Sequence, residues 1–224
     1  LRNTCCRLFN CNSRNLAIMS SASELLNQLP YLLDLKKGSK VVLVKSDFPA
    51  LFRPWQAFSE KNRLKTHFVD ENLNVDLTSS IIEIIDNETV AVVVSYIQYA
   101  TGSRIDLQRL QKITKKLNIP FVIDVTQAAG AIPLDISKIE CDAMVCSGYK
   151  WLGGHGGVAI AYLSDNLINK TPLMPGWMGA KNPFNINNDK LDLAFGAKRY
   201  TQSTMSYICL LYTSDACLLY TSDA

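Results

Sequence analysis

Three apolar runs between residues 121 and 163 constrain this chain more than anything else in it. Phe121-Val122-Ile123 ends in Asp124, and Ala143-Met144-Val145-Cys146 ends in Ser147-Gly148-Tyr149-Lys150. Val158 to Leu163 then follows glycines at 153, 154, 156 and 157. Short runs without alternating polar residues are typical of strands buried on both faces, as in parallel sheets covered by helices. In such sheets, ligand chemistry gathers at the carboxyl ends of the strands. A carboxylate, Asp124, and an amine, Lys150, are therefore expected at one sheet edge. Between them stands Gln127, followed by Ala128-Ala129-Gly130, small enough for close packing. The plain structural alternative is an Asp–Lys salt bridge at a sheet edge.

Upstream, strands and helices alternate. Leu16–Met19 reads as a strand, and Ser20 to Ser23 as the turn opening a helix through Leu33, which Lys36-Lys37-Gly38 ends. Val41–Val44 is a strand leading into Ser46-Asp47-Phe48-Pro49 and Arg53-Pro54-Trp55. His67–Val69 and Val90–Ser95 are further strands, with a helix from Leu77 to Ile85 that puts Ile81, Ile82 and Ile85 on one face. Asp106 caps a helix whose Leu107, Leu110, Ile113 and Leu117 face the core, while Lys112, Lys115 and Lys116 face water. After Leu163, prolines at 172, 175 and 183 with Gly176 and Gly179 mark a long loop. The alternation predicts an α/β fold, with a mainly parallel sheet sandwiched by helices.

Asp124-x-x-Gln127-x-x-Gly130 and Ser147-Gly148-Tyr149-Lys150 together resemble the fold-type I pyridoxal-phosphate enzymes. The resemblance is to the class V aminotransferase group, which includes cysteine desulfurases, selenocysteine lyases and kynureninases. It implies a homodimeric, cytoplasmic transferase or lyase acting on a small amino-acid substrate, with pyridoxal 5′-phosphate as cofactor and an active site shared between subunits. Asp124 would hold the cofactor's ring nitrogen protonated, Gln127 would hydrogen-bond its phenolic oxygen, and Lys150 would form the Schiff base. Burial and neighbouring positive charge are expected to lower the pKa of that amine. Ser147 and Tyr149 would bind the phosphate. Ala22-Ser23-Glu24 resembles the family's phosphate cup, although Ala22 replaces a hydroxyl and Ser23 also reads as a plain helix cap. Phe48 stands where the family sets an aromatic over the cofactor ring; its alternative is core packing. Gln98 or Tyr99 matches the family's residue near the phenolic oxygen and the substrate. Thr204, in Lys198-Arg199-Tyr200-Thr201-Gln202-Ser203-Thr204, resembles the threonine that reaches the other subunit's phosphate; otherwise it belongs to an exposed polar loop. Phe48 and Tyr149 replace two histidines of the desulfurases, which weakens a desulfurase-like reading and leaves a kynureninase-like lyase or an aminotransferase open beside it.

The resemblance covers residues 16 to about 206, so residues 1–206 read as a partial pyridoxal-phosphate-binding large domain, truncated at both ends. The family's small domain, with its carboxylate-clamping arginine, is absent from the 224 residues. Cys209 to Ala216 is repeated unchanged as residues 217–224, so 207–224 is expected to be a non-native tail. An inactive or cofactor-binding-only remnant of the fold is the alternative that truncation raises. A nucleotide-binding α/β module is disfavoured, because neither GxGxxG nor GxxxxGK[ST] is present. A net charge of +3, with no basic stripe, argues against nucleic acid. No apolar stretch reaches membrane-spanning length. The seven cysteines are odd in number and contain no CxxC, which predicts reduced thiols and no metal site.

Overall fold

The computed structural model describes residues 1–72, 74–185 and 190–206. Its centre is a seven-stranded sheet: β1 (Leu16–Met19), β2 (Lys40–Val44), β3 (Lys65–Val69), β4 (Thr89–Ser95), β5 (Phe121–Asp124), β6 (Ala143–Ser147) and β7 (Ala159–Leu163). The spatial order is β1-β7-β6-β5-β4-β2-β3. From β6 to β3 every neighbour is parallel, and only β7 runs against both of its partners. The expected mainly parallel sheet is present. The carboxyl ends of β2, β4, β5 and β6 consequently open on one edge.

Side-chain alternation along the buried strands divides the core into two layers. Val42, Val44, Val92, Val94, Phe121, Ile123, Met144 and Cys146 face one side. That side is covered by α5 (Leu77–Ile84) and α6 (Leu107–Leu117), through Leu77, Ile81, Leu107 and Leu110. α1 (Arg2–Phe9) joins them through Cys5 and Phe9. Val41, Leu43, Ala91, Val93, Val122 and Val145 face the other side, against α2 (Ala22–Leu26), α3 (Leu29–Leu32), α4 (Pro49–Asn62) and α7 (Asp165–Ile168). Both faces are therefore dry, which is why these strands carry no polar alternation.

Helices α5 and α6 lie close to their expected positions, and Asp106 caps α6 by accepting from the N–H groups of Gln108 and Arg109. Two expectations need correction. The single helix expected through Leu33 is split into α2 and α3, because Pro30 has no N–H to return to Leu26. No helix was expected after Pro49, yet α4 runs for 14 residues with Pro54 inside it. Pro49 suits a first turn, where its missing N–H is no loss. Pro54 costs about 3 kcal/mol in a helix interior. Leu51 and Trp55, one turn apart, are fully buried against the sheet. Burying a leucine alone contributes about 1.5–3 kcal/mol, so the two together outweigh the proline.

The loop after β7 packs back on the sheet edge. Tyr200 is buried, its hydroxyl donating to the Leu167 carbonyl at 2.7 Å, and Thr201 Oγ1 donates to the Ile18 carbonyl at 2.9 Å. A Cβ on Gly176 would stand 1.9 Å from the Gln202 carbonyl oxygen, so close approach of the two segments requires glycine there. Among the described residues, no helix is long and apolar enough to cross a membrane. Among the described residues, Cys6, Cys11 and Cys141 are free thiols. The expected non-native tail, 207–224, lies outside the described residues.

Candidate active site

A cavity of about 190 Å³ lies at the carboxyl edge of the sheet. It takes its walls from the ends of β1, β2, β4, β5 and β6. Of the residues singled out in the sequence, it brings together Ala22, Ser23, Phe48, Tyr99, Asp124, Gln127, Ser147, Tyr149 and Lys150. Two are elsewhere. Gln98 is buried beneath the cavity, its amide oxygen 3.2 Å from Ser46 Oγ, and its side chain also bonds to Asp47. Thr204 is exposed and does not line the cavity.

Asp124 ends β5 at the cavity floor. Its Oδ1 accepts from the Thr126 N–H at 2.7 Å, and Thr126 Oγ1 in turn accepts from the Ser147 N–H at 3.1 Å. This chain of bonds ties the ends of β5 and β6 to each other. Burial raises the Asp124 pKa, and the bonds from Thr126 only partly oppose that. An uncompensated buried carboxyl favours a cationic or proton-sharing partner.

Lys150 is exposed at the cavity mouth, contrary to the expected burial. It stands in the turn just beyond β6, its Nζ 5.3 Å from the Tyr149 ring centroid. No ion pair joins it to Asp124 among the described residues, so the simple salt-bridge reading of this pair does not hold.

Phe48 follows β2 and meets Tyr99 edge to face, with centroids 5.5 Å apart and planes at 87°. These rings form one apolar wall. Across from them Ser20, Ser21, Ala22 and Ser23 turn into α2, offering hydroxyls and backbone N–H groups. Gln127 Oε1 accepts from the Trp151 indole N–H at 2.9 Å. The two loops carrying these residues touch because Gly130 has no side chain. At φ 88°, its Cβ would fall 2.7 Å from the Trp151 carbonyl oxygen.

Sequence reasoning passed over Asp47 and Trp151. Asp47 is buried just after β2, where its Oδ2 accepts from the Ser95 N–H at 3.2 Å and its Oδ1 has no partner. Burial first, then the charge of Asp124, push its pKa up to about 7 against the bonds from Ser95 and Gln98. Asp47 lies three residues past the end of β2, behind Lys45 and Ser46, so its sequence setting lacks the signal that marked Asp124 at the very end of its strand.

Comparison with known proteins agrees with this geometry. The family model described as Aminotransferase class-V matches residues 1–192. A probable cysteine desulfurase of Pyrococcus abyssi is 28% identical over 173 residues, covering 75% of this chain and 43% of that protein. An uncharacterized aminotransferase, YcbU, of Bacillus subtilis is 27% identical over 208 residues, covering 92% and 54%. A kynureninase of Pseudomonas fluorescens is 28% identical over 132 residues, covering 58% and 32%. The chain thus spans about half, or less, of the length of these relatives. Among solved structures, the cystine C-S lyase C-DES in complex with cysteine persulfide superposes with a TM-score of 0.88. It is 20% identical, with 100% of this chain and 60% of that one covered. A variant of the same lyase, with glycine covalently linked to its PLP cofactor, gives a TM-score of 0.86 at 20% identity, with the same coverage of both chains. At these identities the likeness is one of fold.

Proposed function

The chain belongs to the class V aminotransferase family, and from that premise we propose that its protein is a pyridoxal-phosphate-dependent enzyme acting on a small amino acid. The observation that carries this reading is a single cavity lined by a buried carboxyl, an amide, a lysine, an aromatic wall and a serine-rich turn.

The donor set fits the cofactor. Asp124, buried without a cationic partner among the described residues, suits a protonated ring nitrogen, and ionisation there would be favoured once that cation is present. Phe48 offers a flat apolar face to the ring. Ser23, Ser147 and the start of α2 offer donors for a phosphate, with Ala22 contributing backbone only. When bound, the cofactor supplies an aldehyde for amine attachment and a ring that withdraws electrons from the substrate's α-carbon. Lys150 would attach it. Once released by the incoming amino group, the same amine would take the α-proton as general base. Its exposure leaves a route by which substrate reaches it. Gln127 would hold the phenolic oxygen, and Tyr99, beside Phe48, would meet the substrate.

The reading includes a homodimer in which Thr204 of one subunit serves the phosphate site of the other, and a cytoplasmic location. The carbon–sulfur, carbon–carbon and transamination branches differ in parts that the family carries outside these residues. Phe48 and Tyr149, standing where desulfurases carry histidines, weaken the desulfuration branch and leave the lyase and aminotransferase branches open beside it.

The test is borohydride reduction of the cofactor-loaded protein, followed by peptide mapping. The label is expected on Lys150, and Lys150→Ala should abolish it along with all turnover. A label on Lys115 or Lys116 instead would overturn the assignment. Cofactor binding without turnover in the full-length protein would identify the remnant reading as correct.

A further inference from the structure

We propose that Trp151 is a positioning residue that sets which end of the Gln127 amide faces the cavity. The proposal rests on the pyridoxal-phosphate reading of this site and extends it to a residue outside the cavity lining.

A primary amide has two ends of nearly equal shape and opposite hydrogen-bonding sense. Nothing in the steric outline of a pocket distinguishes them. A fixed neighbour of known polarity does. An indole N–H is a donor only. The Trp151 N–H stands 2.9 Å from the Gln127 side chain, so the end that it meets must be the oxygen. The end left for the cavity is the NH₂ group, two donors and no acceptor. The pocket is thereby set to receive an acceptor at this point, and a phenolic oxygen carrying negative charge is the best match that the cofactor presents.

Two further features mark this contact as built. Trp151 is 61% exposed, so core packing does not account for where its ring lies. The contact also depends on Gly130, whose positive φ and missing Cβ let the backbone of the Trp151 loop come within van der Waals distance. Gln127, Gly130 and Trp151 thus form one device: a glycine that admits the loop, an indole that fixes the amide, and an amide that faces the ligand. Without the indole, either end of the amide can face the cavity, and its oxygen would repel a phenolic oxygen bound there.

The experiment uses the full-length protein and three variants: Trp151→Phe, Gln127→Ala and the double variant. Trp151→Phe keeps an aromatic ring and removes only the donor. In ligand-free protein, the Trp151 indole proton is followed by nuclear magnetic resonance; Gln127→Ala should speed its exchange with water several-fold. With pyridoxal phosphate bound, the pH midpoint of the visible absorption band is measured. Tyr99, Asp124, Tyr149 and Lys150 are the titratable groups lining this cavity, and all are unchanged in the variants. A donor on the phenolic oxygen draws charge from it and weakens the hold of the attached nitrogen on its proton. Losing that donor should raise the midpoint by about one pH unit. Trp151→Phe and Gln127→Ala should raise it alike, and the double variant no further. Independent, additive shifts, or an unmoved midpoint in Trp151→Phe beside a moved one in Gln127→Ala, would overturn the proposal. Absence of any visible band in the parent protein would overturn the cofactor reading itself, and this inference with it.

Discussion

Asp47→Asn is expected to stabilise the ligand-free protein at neutral and alkaline pH and to change little in acid. Asp47 is buried, with one oxygen bonded to the Ser95 N–H and the other without a partner. Its pKa is raised from 3.8 to about 7, chiefly by burial. The folded protein therefore holds this proton more tightly than the unfolded chain does. Below pH 3.8 both states are protonated, and the residue adds nothing to the pH dependence. Between 3.8 and about 7 the unfolded chain ionises while the folded one does not. Stability then falls by about 1.4 kcal/mol per pH unit. Above pH 7 the loss levels off at about 4 kcal/mol, the product of that slope and the interval. Asparagine carries no such cost and can turn its carbonyl to Ser95. Its NH₂ would take the unpartnered position, at a cost of about 1–3 kcal/mol that does not vary with pH and that the O–H of protonated Asp47 incurs equally in acid. The pH dependence of the difference is therefore the readout. Urea unfolding of both proteins from pH 4 to 9 should show a gap that opens by several kcal/mol in favour of Asp47→Asn and flattens above pH 7. A gap independent of pH, or one that widens against the variant as pH rises, would refute the reasoning.

Asp124→Asn should leave the fold and cofactor binding largely intact but remove most turnover, because an amide cannot hold the ring nitrogen's proton in place; activity within a few-fold of the parent would reduce Asp124 to a structural role. Gly130→Ala should cost about 1–3 kcal/mol from the strained positive φ alone. It should also push apart the loops bearing Gln127 and Trp151, reproducing the absorption shift of Trp151→Phe; a variant with parent-like stability and spectrum would show that the loops do not need their close approach.

Where the physics was local, the chain could be read without its structure. Val90 to Val94, Phe121 to Ile123 and Ala143 to Cys146 are apolar at every position because both of their faces are covered, and that shows in sequence. Asp106 announced its helix because a cap acts on residues two and three positions away. Asp124 and Lys150 were legible because strand ends in a parallel sheet share one edge, whatever the order of the strands, and Gln127 and Ser147 because their motifs resemble the family's.

Tertiary contact decided the rest. The order β1-β7-β6-β5-β4-β2-β3 and the reversal at β7 are pairings between segments far apart in the chain. Helix α4 exists because burying Leu51 and Trp55 against the sheet outweighs a proline that local rules read as a break. The exposure of Lys150 depends on which elements cover the sheet edge, and its neighbours in sequence do not reveal that. Asp47 is titratable near neutrality only because β4 and Asp124 surround it, though the residue itself looks like any loop acid. The bond between Trp151 and Gln127 joins two loops 24 residues apart through the gap left by Gly130. Short-range preference and periodicity place the chemistry at an edge of the sheet; only packing determines the environment in which each group meets its proton.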